Sequence, residues 1–234
     1  MQKIKNHTLD ILKVVCSILI VFNHCVFPGT TGEIIKAFSR IAVPIFFLIS
    51  GYYVFNNPKE KVLKKCKRIF KILVFACIFW FAYNVIRYSV TDIVTLKYYL
   101  LNFFNIKVIT NFILFNANPF WGHLWFLNAL CYCYLIYYFI IKKNIKIDKY
   151  DSIISIFLIV FYLVFNYFFV DDNFNNIDYI RNFLFVGLPF FLIGRYLRRK
   201  EIANKIRIKY VLPIILISSI TIIIECLTYS SELY

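Results

Sequence analysis

The sequence predicts an all-α, polytopic transmembrane helix bundle, and three observations support that fold class. Of the 234 residues, 61% are hydrophobic and only 17% are charged, whereas soluble domains average about 45–50% apolar and about 25% charged residues. Several apolar runs approach the roughly 20 residues that a helix needs to cross a bilayer. Basic residues also concentrate in alternate connecting segments, which is typical of multi-pass membrane proteins. We expect a single domain over residues 1–234.

The apolar runs predict about seven spans. These are residues 8–27, 37–56, 69–90, 121–141, 152–170, 178–197 and 209–227. Between the third and fourth spans, TDIVTLKYYLLNFFNIKVITNFILFNANPF interleaves aromatic and polar residues, which favours one or two interfacial or re-entrant helices. The odd number of spans and the abrupt end at SSELY predict a truncated chain or a bundle without its final helices.

The distribution of lysine and arginine predicts the orientation. Twenty of the 27 basic residues lie before the first span or in three segments at the ends of the second, fourth and sixth spans: KEKVLKKCKRIFK, KKNIKIDK and RYLRRKEIANKIRIK. Basic segments stay on the cytoplasmic side, so we expect a cell-membrane protein with a cytoplasmic N-terminus and membrane lipids around it. The net charge of +15 then reflects topology, and no nucleic-acid partner is expected.

The first span, LDILKVVCSILIVFNHC, contains four polar residues that are costly in lipid: Asp10, Lys13, Asn23 and His24. Lys13 and His24 are 11 residues apart, which places them on nearly the same helix face, about 16 Å from each other. Asp10 lies one turn before Lys13 and can form an ion pair with it. Lys13 could instead extend to the cytoplasmic headgroups, and His24 could be an interfacial histidine or a general base toward a hydroxyl.

The second span, SRIAVPIFFLISGYY, combines a helix-breaking proline with the small pair Ser50 and Gly51, which allows another helix to approach closely. Arg40 enters this span from the outer side. It can anchor the helix in the headgroups or bind an acyl or acceptor group.

The fourth span opens with WGHLWFL, at the predicted outer boundary. Trp121 and Trp125 there are typical of an aromatic belt, and Trp125 could also contact an acceptor. His123 and Glu225, the latter near the end of the seventh span, add ionisable groups at the same level. The seven cysteines show no CxxC or Cys/His metal spacing, so we expect packing roles for those in apolar runs and no metal site.

Four segments together resemble successive motifs of the acyltransferase 3 family of integral membrane acyltransferases. They are LDILKVVCSILIVFNH, SRIAVPIFFLISGYY, HLWFLNALCYCYL and RNFLFVGLPFFLIGRYLRR, in that order and at natural spacing over about residues 8–200. The membrane part of serine racemases is similar. Members of the family usually have about ten helices, so this chain resembles one that is truncated at its C-terminal end.

The resemblance implies the roles of individual residues. His24 matches the catalytic base of the family's first-helix motif, and Lys13 stands where that motif normally has arginine, without the planar fork that binds phosphate bidentately. Asp10, Arg40, Ser50 and Gly51 match positions of the acyl-donor site or channel. His123, Trp125 and Glu225 remain possible residues of an acceptor side.

The family implies an O-acyltransferase with no bound cofactor. It would transfer an acetyl group from acetyl-CoA to hydroxyls of a cell-envelope or surface polysaccharide. Two other functions stay open: a transport or binding module like the membrane part of the racemases, and an inactive fragment that contacts other envelope proteins.

Overall fold

The fold is described from a computed structural model, which covers residues 7–25, 27–169, 181–202 and 208–230. Ten α-helices lie in these ranges. They are α1 His7–His24, α2 Gly29–Ser39, α3 Ala42–Val54, α4 Lys59–Thr91, α5 Ile93–Asn102, α6 Ile106–Phe115, α7 Trp125–Lys142, α8 Asp151–Phe169, α9 Leu188–Arg199 and α10 Ile208–Ser230. Short 3₁₀ turns at Gly122–Leu124 and Asp148–Tyr150 precede α7 and α8, and a π turn at Phe183–Gly187 precedes α9. The described ranges contain no strand, and the predicted all-α membrane bundle is confirmed.

Five helical stretches in these ranges are long and apolar enough to cross a membrane, and they correspond to the first five predicted spans. They are His7–His24, Gly29–Val54, Lys59–Thr91, Gly122–Lys142 and Asp148–Phe168. The sixth predicted span starts outside the described residues, and its described part is the π turn with the 12-residue helix α9. The seventh corresponds to α10, whose apolar part is the shorter stretch Leu212–Thr228.

Helices α5 and α6 occupy the segment predicted to be interfacial or re-entrant. They meet at a bend of 63° and could together form a sixth span. The side chains of Asp92 and Asn105 cap the two helices by accepting hydrogen bonds from the backbone N–H groups of Val94 and Lys107. Asn84 of α4 fixes this segment, because its amide donates to the carbonyl oxygen of Phe120 at 2.9 Å.

The core of the bundle lies among α3, α4, α7 and α9. Its buried members are Phe47, Val54, Val62, Cys66, Trp125, Ala129, Leu130, Cys133, Tyr134, Tyr137 and Phe191. Helices α1 and α10 both pack on α2, α1 also contacts α3, and α8 packs on α9. Several apolar side chains of α1, such as Ile11, Val14 and Ile18, are at least half exposed, as expected of a surface that contacts lipid.

Two glycines bring the backbones of α3 and α9 into direct contact. A Cβ atom at Gly51 would lie 1.8 Å from the carbonyl oxygen of Phe191, and one at Gly194 would lie 1.9 Å from that of Leu48. No larger residue fits at either position without moving the helices apart, and small residues serve this role at membrane helix interfaces generally.

We expect Gly51→Ala to destabilise the bundle by about 1–3 kcal/mol, because the added methyl group overlaps the backbone of α9. Gly122→Ala is the matched control, since a Cβ atom there would meet nothing within 4 Å. Thermal unfolding of the detergent-solubilised variants measures both effects. Equal melting temperatures of the two variants would contradict the described helix contact.

Candidate functional site

Helix α1 turns one face toward the rest of the bundle. The less exposed side chains recur at every third or fourth position: Leu9, Leu12, Lys13, Cys16, Leu19, Ile20 and Asn23. His24 follows Ile20 by one turn and continues this face, although its own side chain is exposed. The helix geometry predicted for Lys13 and His24 therefore holds, since both lie on the side that contacts other helices.

Lys13 contacts two groups at its end of α1. Its Nζ atom lies 2.8 Å from Oδ1 of Asp10 and 4.5 Å from the ring centroid of Tyr53 at the end of α3. The ion pair with Asp10 was expected from the spacing, and the contact with Tyr53 was not. Attraction between an ammonium group and an aromatic face stabilises the charge away from bulk water.

Two more cations meet the same end of α3. Lys65 of α4 donates a hydrogen bond to the carbonyl oxygen of Tyr53 at 3.0 Å, which satisfies one of the last carbonyls of the helix. Arg198 of α9 lies 5.2 Å from the ring centroid of Tyr52 and donates to its hydroxyl at 3.2 Å. Together with Lys13, basic side chains from three helices therefore converge on the adjacent residues Tyr52 and Tyr53. We call this cluster of tyrosines and cations the tyrosine end.

Most of the tyrosine end could not be predicted from the sequence. Lys65 lies in a basic segment that topology alone accounts for, and nothing in the local pattern of Tyr52 or Tyr53 indicates a cation. The signal that was present is the pair of tyrosines directly after Ser50 and Gly51. Gly51 draws α9 close to α3, and so brings Arg198 within reach of Tyr52.

His24 meets His123 at the other end of α1. The two imidazole rings are tilted by 36° and their centroids are 3.5 Å apart. His24 belongs to the last turn of α1, and His123 to the 3₁₀ turn that begins the fourth predicted span. Both side chains are exposed, so another molecule can reach the pair.

Arg181 lies with His24 and His123, and we call these three residues the histidine end. Its charge interacts with both imidazoles, and its guanidinium carbon lies 5.4 Å from the ring centroid of Trp125.

Trp125 is only 6% exposed and belongs to the core. The prediction that Trp125 forms part of an aromatic belt is wrong, because helix packing encloses the indole instead of leaving it at the headgroups. Trp121 stacks on Trp80 at 4.1 Å and touches the edge of His123 at 5.9 Å.

The remaining predicted residues lie elsewhere. Ser50 forms a hydrogen bond with the buried Tyr134 of α7, and Gly51 contacts α9. Arg40 is exposed at the junction of α2 and α3, where its backbone N–H bonds to the carbonyl oxygen of Lys36. Glu225 lies in α10, but its side chain is outside the described residues. The channel or acceptor roles of these residues stay predictions.

Arg195 of α9 belongs to the basic segment RYLRRKEIANKIRIK, which is predicted to stay on the cytoplasmic side, but the structure buries it. Its side chain is 1% exposed and forms ion pairs with Asp148 and with the fully buried Asp151, the latter at 3.0 Å. The guanidinium also lies 4.2 Å from the ring centroid of Tyr137. These contacts join α9 to α7, α8 and the turn before α8, because a buried charge requires partners.

Within the described ranges, no group of three or more histidine, cysteine, aspartate or glutamate side chains is placed to hold a metal ion. The chemistry available from the described side chains is proton transfer by the imidazoles and charge stabilisation by Arg181 at one end. At the other end it is anion binding by Lys13, Lys65 and Arg198.

Comparison with known proteins gives one match. The family model described as an acyltransferase domain, that of the acyltransferase 3 family, matches residues 6–233. No curated protein matches the chain, and no solved structure matches it.

We expect Arg195→Met to lower the free energy of unfolding by about 3–5 kcal/mol, because it leaves Asp151 buried without its cation. The double variant Arg195→Met with Asp151→Leu should recover most of that loss. Arg87→Met, at an exposed arginine of α4, is the matched control and should change stability by less than about 0.5 kcal/mol. Unfolding in mixed micelles with increasing dodecyl sulfate measures all three, and a double variant no more stable than Arg195→Met would contradict the ion-pair account.

Proposed function

Since the chain belongs to the acyltransferase 3 family and is a membrane acyltransferase, we propose that it transfers an acetyl group from acetyl-CoA to hydroxyls of a cell-envelope or surface polysaccharide. The observation that most directly supports this proposal is the position of the two ends on one helix. Lys13 and the tyrosine end lie about three turns of α1 from the His24–His123 pair. A donor and an acceptor could therefore enter from opposite sides of the membrane.

The proposed orientation has the N-terminus in the cytoplasm, as the basic segments indicate. Acetyl-CoA then approaches the tyrosine end, where Lys13, Lys65 and Arg198 offer cationic donors to its phosphates. Arginine is the better bidentate ligand for phosphate, whereas lysine acts as a point charge. Lys13 lacks the planar guanidinium that binds phosphate bidentately, and Arg198 of α9 supplies that group instead.

At the histidine end, His24 accepts the proton of the acceptor hydroxyl as that oxygen attacks the thioester carbonyl carbon. The carbon–sulfur bond breaks, the acetyl group forms an ester with the acceptor oxygen, and the leaving thiolate takes the proton from the imidazolium of His24. Arg181 lies beside the imidazoles, where a cation can stabilise the oxyanion that forms during attack. His123 stacks on His24 and serves as a positioning residue for that ring.

We expect His24→Ala to reduce acetyl transfer by about 10²–10⁴-fold, the range that general acid–base catalysis contributes. His7→Ala is the matched control and should leave transfer unchanged, because His7 is exposed at the start of the same helix. Transfer of labelled acetyl from acetyl-CoA is measured with purified protein in vesicles. Equal rates for His24→Ala and the wild type would refute the assignment of the base, and solute flux without transferred label would indicate a transport module.

The stacking role of His123 is tested in the same assay. His123→Phe keeps an aromatic ring against His24, so this variant should retain more activity than His123→Ala. Identical loss in both variants would show that His123 takes part in the proton transfer itself and not only in positioning.

We expect Lys13→Met to raise the KM for acetyl-CoA about tenfold with little change in kcat, because it removes one charged contact to the donor without altering the base. Lys13→Arg should keep the wild-type KM. Lys107→Met, at an exposed lysine of α6, is the control that removes a charge elsewhere. An unchanged KM for Lys13→Met would contradict the role of Lys13 in donor binding.

A further inference from the structure

A polar cavity lies where the end of α9 meets the start of α8. Its volume is about 480 Å³, and its walls are formed by Lys149, Ser152, Tyr196, Arg199 and Lys200. Every one of these side chains can donate a hydrogen bond, and three of them are cationic. We call it the basic cavity.

Arg199 has hydrogen-bond donors that remain available to a ligand in the basic cavity. Its guanidinium carbon lies 5.5 Å from the ring centroid of Tyr196, so the tyrosine face supports the planar group. The Nε atom is buried and has no hydrogen-bond partner in the described part of the chain. The terminal Nη groups of Arg199 are not buried in this way and form no hydrogen bond with the described residues, so they are the donors that an anion in the cavity would meet.

Two carboxylates next to cavity residues in the sequence are already engaged. Asp148 and Asp151 both form ion pairs with Arg195, and Asp151 also interacts with the charge of Arg199. Within the described residues, Lys149, Arg199 and Lys200 form no ion pair of their own. Helix α8 begins at Asp151, and Ser152 in its first turn lines the cavity. The positive end of a 19-residue helix favours an anion at that position.

Positive-inside topology explains why basic residues are present, but it does not explain why three of them line one open cavity together with two hydroxyl donors. From this arrangement we infer that the basic cavity binds a phosphate ester. The inference deepens the proposed function, in which the ligand is a phosphate group of the acetyl-CoA donor. The headgroup of an anionic phospholipid offers the same chemistry, and the experiment separates the two sources.

The test uses the full chain in nanodiscs of phosphatidylcholine, with adenosine 3′,5′-bisphosphate as the probe. Lys149→Gln and Arg199→Gln should each weaken binding about tenfold, the loss expected for one charge-assisted contact. Lys143→Gln is the matched control, because Lys143 is exposed beyond the end of α7 and does not line the cavity. Because Lys149 is exposed, the Lys149→Gln variant should fold even if the Arg199→Gln variant does not.

A second arm measures phosphatidate and phosphatidylglycerol retained on the purified protein by native mass spectrometry. If the variants lose these lipids but bind the bisphosphate normally, the phosphate ester belongs to a lipid. If neither nucleotide nor lipid binding differs from that of Lys143→Gln, the inference is wrong. His24→Ala should bind the bisphosphate like the wild type, so a failure of the basic cavity is distinguishable from a failure of the proposed catalytic base.

Discussion

The arrangement of this bundle depends on the cost of placing ionisable groups in hydrocarbon, about 2.5–3.5 kcal/mol for a charged side chain at the centre of a membrane helix. Two such residues, on α1 and α9, each meet partners. Lys13 contacts Asp10 and Tyr53, and Arg195 contacts Asp148, Asp151 and Tyr137. These contacts fix which face of α1 and of α9 turns inward, and the exposed apolar side chains of α1 then face lipid.

Helix α3 connects the parts of the candidate site. Its C-terminal tyrosines receive cations from α1, α4 and α9, and the close contacts at Gly51 and Gly194 hold α9 against it. Toward its other end, Phe47 packs on Trp125 of α7, whose ring lies beside Arg181. A change in the packing of α3 would therefore move side chains at both ends of the site, although the chemistry proposed for each end is different.

The sequence was sufficient for features that depend on one helix alone. Hydropathy located the long spans, helical periodicity placed Lys13 and His24 on one face, and interleaved aromatic and polar residues indicated the two short helices α5 and α6. Contacts between distant segments could not be predicted in this way. The stacking of His24 on His123, the enclosure of Trp125 and the burial of Arg195 each result from packing among several helices, because local pattern does not distinguish a lipid-facing side of a helix from a protein-facing one.

We propose that one face of α1 is reached by water from opposite sides of the membrane at its two ends. The most direct measurement is labelling of single cysteines, Lys13→Cys and His24→Cys, in a chain whose seven native cysteines are replaced by alanine. A membrane-impermeant maleimide is applied to vesicles of known orientation. We expect labelling of position 24 from the outside only and of position 13 from the cytoplasmic side only. Labelling of both positions from the same side, or of neither from any side, would contradict it.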